Sequence, residues 1–246
     1  WRTGFALINH YVANNQWQKA VETGKKYTKK YPSNYYIGLK YAKALCETGQ
    51  YQPCISLLSR MQVLPNEGSY AGRAVYREAN LYRAMEQLSH KNYKQVVKSV
   101  ETSKEWPENL GVGKPYDNMI DNRLEDYLEA KAAAGQGDSR KTSALLAAVA
   151  DYTISRSHFE SGNLLSALAL RESGKVQEAD HMVAAWSTDF PENRVAQWCT
   201  AIYRGEKEKA VGMLQSRNDQ TNTTPWEASF RDSNFDLIVR LFSTEQ

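Results

Sequence analysis

The sequence predicts an all-α chain, a right-handed α-α superhelix of about six antiparallel helix pairs closed by a C-terminal capping helix. Three observations carry that prediction. A set of small, aromatic and turn-forming residues recurs at fixed offsets along the 246 residues. Prolines punctuate the ends of the recurring units. No alternating apolar stretch bounded by hairpin dipeptides marks a strand.

The first unit, residues 1–34, sets the pattern. From Ile8 the chain reaches Asn15 after seven residues, Trp17 after nine, Ala20 after twelve and Pro32 after twenty-four. The second unit, 35–68, repeats it with Ala42, Gly49, Tyr51, Cys54 and Pro65, and the third, 69–109, with Ala84, Lys91, Tyr93, Val96 and Pro107. The fifth, 157–193, runs through Ala167, Gly174, Val176, Ala179 and Pro191, and the sixth, 194–216, is a shorter echo in Trp198, Gly205 and Ala210. Two antiparallel helices that touch closely need a small residue where they cross, which Ala20, Cys54, Ala179 and Ala210 supply. Gly49, Gly174 and Gly205 can take the left-handed conformation that ends a first helix, and the apolar residue after the turn folds back onto the pair. The stretches "YPSN", "LPNE", "WPEN" and "FPEN" then stop the second helices.

The middle of the chain departs from this spacing. Tyr51 to Tyr93 and Pro65 to Pro107 each span 42 residues, so the third unit carries about two extra helical turns in "GSYAGRAVYREANLYRAMEQL". The fourth unit, 117–155, has two amphipathic halves and a turn at Gly135 and Gly137, but no aromatic follows it and its register stays open. In the tail, 226–246, Ser233 is the expected N-cap of a helix whose Phe235, Ile238, Val239 and Phe242 would cover the last open apolar face.

These offsets resemble the tetratricopeptide repeat family, built from helix-turn-helix units of 34 residues, most closely over residues 1–66 and 160–214. In addition "LPNEGSYAGRAVYREANLYRA", "WPENLGVGKPYD" and "RLEDYL" resemble the C-terminal helical region of bacterial proteins, common in Bacteroidetes, that join an N-terminal β-rich domain to such an array. The resemblance implies a bacterial origin, attachment to another domain and a link to carbohydrate metabolism. It carries over no catalytic residue. Asn222 in "NTT" matches a glycosylation acceptor formally, a triplet with little meaning in a bacterium.

Composition narrows the function classes. A charged fraction of 24% and a formal net charge of +3 lack the concentrated positive field of a dedicated nucleic-acid binder, so no nucleic-acid partner is expected. No run of about 18 apolar residues could cross a bilayer, and no membrane insertion is expected. The chain opens at Trp1, which suggests a piece of a longer or processed polypeptide; a cytoplasmic location is favoured, with secretion or a periplasmic location left open. Cys46, Cys54 and Cys199 are odd in number and form no C-x-x-C pair, which argues against a disulfide framework and a zinc knuckle. Cys54 reads as a compact packing residue.

Three groupings could carry chemistry. "EWPENLGVGKPYD" contains G-x-G-K, but Lys114 precedes proline rather than Ser or Thr and the segment follows a helix, so the reading is a connector and not a phosphate cradle. Its Asn109, Lys114, Tyr116 and Asp117 are expected to fasten it to neighbouring helices. His10, His90, His158 and His181 lack ligand spacing, and neither a metal nor a cofactor is expected. Asp121, Glu125 and Glu129 step along one helical face beside Arg123, which reads as a solvated helix start rather than a hydrolytic pair. Lys25, Lys26, Lys29 and Lys30 read as a solvated convex face.

The functional expectation rests on geometry. First helices of successive units line a groove, and the register places Phe5, Asn9, Tyr36, Leu39, Lys43 and Glu47 on it, with Tyr76, Arg77 and Leu81 in the third unit. Mixed aromatics and charges suit a binding surface. Chaperone-binding members of the repeat family grip a C-terminal carboxylate with lysines and asparagines. Here Phe5 occupies a lysine position and only Asn9 matches, which puts that clamp in doubt. The expected function is a noncatalytic scaffold for a protein or peptide, first of all the upstream domain of the same protein. The alternative is the helical part of a carbohydrate-active enzyme whose catalytic groups lie mainly in that domain.

Overall fold

A computed structural model describes residues 1–65, 70–152, 154, 158–217 and 232–244. Asn222, residues 226–231 and 245–246 of the expected cap, and residues 68–69 of the third-unit insertion lie outside the described residues. Among the described residues all regular structure is helical. The helices are α1 (Arg2–Ala13), α2 (Trp17–Lys30), α3 (Tyr35–Glu47), α4 (Tyr51–Leu58), α5 (Ala71–Ser89), α6 (Tyr93–Ser103), α7 (Arg123–Gly135), α8 (Ser139–Ala150), α9 (Gly162–Glu172), α10 (Val176–Asp189), α11 (Arg194–Tyr203), α12 (Lys207–Arg217) and α13 (Phe235–Thr244). Short 3-10 turns occupy Glu108–Leu110 and Asp117–Met119. Six helix pairs and a final helix thus follow the sequence spacing.

The turn inside every pair is made the same way. Asn15, Gly49, Lys91, Gly137, Gly174 and Gly205 stand in the left-handed region, with φ of 52°, 74°, 58°, 78°, 84° and 74°. Each follows an inward-facing residue by seven positions, and Gly137 fixes the open register of the fourth pair as Ala130, Gly137, Ser139. Gly135 does a different job: it is helical, and a Cβ there would run into the Tyr93 ring. At the helix crossings Ala20, Cys54, Val96, Ala179 and Ala210 are buried, so a larger side chain would have to push two helices apart.

The chain divides into two compact units, 1–87 with 95–120, and 88–94 with 121–246. In the first, α1 packs on both α2 and α3, α2 on α3, and α3 on α4, the neighbour pattern of an α-α array. Asn34, two residues after Pro32, caps α3 by accepting the Ile37 N–H at 3.1 Å. Asn109 stands in the same place after Pro107, but it lies within a 3-10 turn instead of ahead of a helix. Its amide therefore donates to Leu58 O at 2.9 Å and Met61 O at 2.7 Å, while Val63 N donates to Asn109 O at 2.8 Å. Gly111 is left-handed there, and a Cβ would lie 2.8 Å from the Val63 carbonyl oxygen. The glycine of G-x-G-K thus accommodates the chain's own backbone.

The extra turns of α5 are buried by this connector. Gly72 lies against Leu39 and Leu110, and Arg73 donates to Ser103 O at 2.7 Å with its guanidinium 4.5 Å from the centre of the Trp106 ring. The insertion and the connector cover each other, which explains why both depart from the repeat together.

In the second unit α7 packs on α8 and α9, α8 on α9, α9 on α10 and α11, and α11 on α10 and α12. Asn193 repeats the cap of Asn34, accepting the Ala196 N–H at 3.0 Å. Two details of the tail differ from expectation. The final helix begins at Phe235, so Ser233 is an exposed turn residue, and the Asp232 carboxylate takes the Asn234 N–H at 3.0 Å. Its most buried apolar residues are Phe235, Leu237, Ile238 and Leu241, with Val239 and Phe242 only half covered.

Candidate functional site

The expected surface residues of the first unit fall into an aromatic cluster and a charged cluster, both on first helices. Phe5 of α1 and Tyr36 of α3 meet edge to face, their centroids 6.4 Å apart. Trp1 closes the group, stacking on Tyr36 at 6.1 Å and meeting Phe5 at 6.3 Å, and Tyr35 stacks on the far side of the cluster, 4.2 Å from Tyr36. The rings are fixed by one another yet open to solvent: Trp1 is 43% exposed and Tyr36 49%. Most soluble surfaces scatter such side chains singly, so a grouped, mutually braced set is informative. Asn9 and Leu39 lie half-buried on the same helices, and Leu39 also packs under Gly72 of α5.

The charged cluster centres on Lys43. Its ammonium donates to Glu47 Oε1 at 2.6 Å and to both oxygens of Glu78, at 2.6 and 2.7 Å. Burial works against the ammonium, but Glu78 and Glu47 outweigh it and hold its pKa above the usual lysine range. Burial, and then the same two carboxylates, push the neighbouring Tyr82 phenol well up. Within this cluster two carboxylates meet one cation, while in the aromatic group the Arg2 guanidinium lies 5.8 Å from the Trp1 ring centre.

The third-unit expectations need correction. Tyr76 and Leu81 are buried and offer no groove surface. The cause is the length of α5: its added turns face the connector, where Tyr76 donates to Glu105 Oε2 at 2.9 Å. Arg77 is half-buried. In the connector, Asn109 alone of the four named residues fastens it to a helix. Lys114 and Asp117 pair with each other at 2.6 Å on the surface, and Tyr116 is 81% exposed. Sequence reasoning passed over Trp1 and Glu78. Trp1 has a readable signal, the four-residue spacing to Phe5 on one helix face. Glu78 has none, since it meets Lys43 from 35 residues away.

The acidic face of α7 is not the solvated stripe expected. Asp121 holds Arg123 through Nε at 3.0 Å and Nη2 at 2.8 Å, Glu129 pairs with Lys141 at 2.7 Å, and Glu125 is 1% exposed. Arg123 itself is buried. It also donates to Glu160 at 2.9 Å and Asn163 at 2.9 Å, and its guanidinium lies 4.1 Å from the Tyr152 ring centre. Asn234 reaches Asp121 at 3.2 Å, and Asp232 accepts the Ser161 N–H at 2.6 Å, so the network joins the starts of α7, α9 and α13. These acids hold the second unit together.

Among the described residues no group of three or more His, Cys, Asp and Glu is placed to hold a metal ion, and no helix is long and apolar enough to cross a membrane. Set against known proteins, the chain matches no family model, no curated protein and no solved structure.

Proposed function

We propose that this chain is a noncatalytic, tetratricopeptide-like interaction module that docks a protein segment on the first-helix surface of its first unit. The carrying observation is the braced, half-exposed set Trp1, Phe5 and Tyr36 beside the Lys43–Glu47–Glu78 cluster. Covering the open parts of Trp1 and Tyr36 would remove roughly 250 Å² of largely apolar surface, on the order of 6 kcal/mol before association costs. Rings already fixed by their neighbours lose little rotamer freedom on binding, which favours them as anchors. The Glu47 and Glu78 carboxylates, also on first helices, favour a segment that carries a cationic side chain as well as an apolar one. The first occupant to test is the β-rich domain that the Bacteroidetes resemblance places upstream, supplied as a separate polypeptide.

Isothermal titration of that domain against the chain tests the reading. Binding is expected to be saturable, and Tyr36→Ala to weaken it by about 2 kcal/mol, roughly thirtyfold. Equal affinity for the wild type and Tyr36→Ala would refute the assignment of this surface.

A further inference from the structure

The second unit contains a cavity of about 230 Å³ whose wall is formed by α9, α11, α12 and α13. The apolar lining comprises Ile202, Ala210, Leu214, Phe242 and Val211, the last 44% exposed. The polar residues of the lining are Arg171, Lys207, Trp198 and Ser243, whose hydroxyl already donates to Val239 O at 2.8 Å, and there is no carboxylate among the described lining residues. Trp198 is buried, and among the described residues its Nε1–H has no hydrogen-bond partner. Buried indole N–H groups are normally paired, and an unpaired one costs stability until an acceptor arrives. Arg171 is held in place by its bond to Tyr203 O at 2.9 Å and by the Tyr203 ring 4.5 Å beneath its guanidinium, which leaves its other N–H groups for a ligand. Lys207 makes no ion pair among the described residues. A concave site with an apolar wall and a few convergent donors is the usual form of a small-ligand pocket.

We propose that this cavity binds an amphipathic carboxylate, its apolar body against Ile202, Ala210, Leu214 and Phe242 and its carboxylate between Arg171 and Lys207. An acceptor on the ligand would take the Trp198 indole proton. The volume suits a phenyl ring or a short alkyl chain, since an apolar cavity of about 150 Å³ already admits benzene. The ligand can be a free organic acid or the carboxyl end of a peptide, and the two share this chemistry.

The test is a titration of the intact chain, ¹⁵N-labelled, with 4-phenylbutyrate, its neutral amide, acetyl-Gly-Phe with a free carboxyl end, and the amide of that peptide. The indole N–H signal of Trp198 is identified by its loss in Trp198→Phe. One or both acids are expected to shift that signal saturably, with a dissociation constant on the order of 1 mM for a ligand this small. Neither amide should do so, and the surface variant Lys207→Gln should bind the acid about tenfold more weakly. A tighter fit for the peptide acid identifies a chain end as the ligand, and a tighter fit for phenylbutyrate identifies a free acid. Equal binding of acid and amide, unchanged affinity in Lys207→Gln, or no saturable shift with either acid overturns the proposal.

Discussion

Replacing Gly162 with alanine should destabilise the second unit although it puts a better helix former at the start of α9. A Cβ at Gly162 would stand 2.5 Å from both Cζ and Nη2 of Arg123 and 2.8 Å from Nε. Ordinary contact requires the guanidinium to retreat by about 1 Å. It has nowhere to go without breaking bonds, because Asp121, Glu160 and Asn163 hold it at 2.8 to 3.0 Å and Tyr152 lies along its face. Losing two such bonds costs about 1.5–3 kcal/mol each, reduced because Asp121 and Glu160 regain water. The propensity gain of alanine returns at most about 1 kcal/mol. The net expectation is a loss of about 2–4 kcal/mol, which moves a urea midpoint followed by circular dichroism down by roughly 1 M. Placing the same change in an Arg123→Met background should remove most of the cost. An unchanged or raised midpoint in Gly162→Ala, or an equal cost in both backgrounds, would refute the claim that this glycine exists to admit the guanidinium.

Other expectations follow from the same geometry. Lys91→Gly should stabilise the chain by about 0.5–1 kcal/mol in urea melts, since Lys91 holds φ 58° at a turn where the other pairs use glycine or asparagine. Cys46, Cys54 and Cys199 are all buried; the Cys54 thiol and burial raise the Cys46 pKa, and burial raises that of Cys199. A colorimetric disulfide reagent should therefore titrate none of them in the native chain and all three after denaturation. Glu78→Gln should cost about 1 kcal/mol, since the Lys43 cluster is only partly buried. Because the folded pKa of Lys43 is raised, its contribution is fully present below the unfolded value of about 10.4 and is lost as pH climbs through the folded value. The difference between the two proteins, measured by denaturation across pH, should stay flat near neutrality and shrink only in strong alkali.

The helix pairs were legible because pair geometry writes itself at short range. A left-handed turn residue, a residue two places on that is apolar in four of the six pairs, and a crossing residue three further fall within one hairpin, and all six pairs place their turn at the seventh position. Gly135 and Gly137 could not be ranked from sequence. What separates them is Tyr93, which packs on Gly135 from another hairpin. The same limit hid the burial of Tyr76 and Leu81. The register placed Tyr76, Arg77 and Leu81 of the lengthened third unit on the groove, and only the folded connector reveals that this part of α5, with Gly72 and Arg73, packs against it. Phe5, Tyr36, Lys43 and Glu47 came from the repeat register, which holds well between adjacent regular units. Glu78 escaped because it lies within the irregular 42-residue spacing, where that register no longer applies. The Arg123 network was equally hidden, being assembled from residues 121 to 234.

Hydrogen exchange of the chain with and without a saturating amount of the proposed upstream domain addresses the proposed docking surface most directly. The account predicts slower exchange in residues 1–9 and 35–43, the segments that carry Trp1, Phe5, Tyr36 and Lys43, and a smaller effect in Trp1→Ala and Tyr36→Ala. Protection confined to other helices, with these two segments unchanged at saturation, would contradict it.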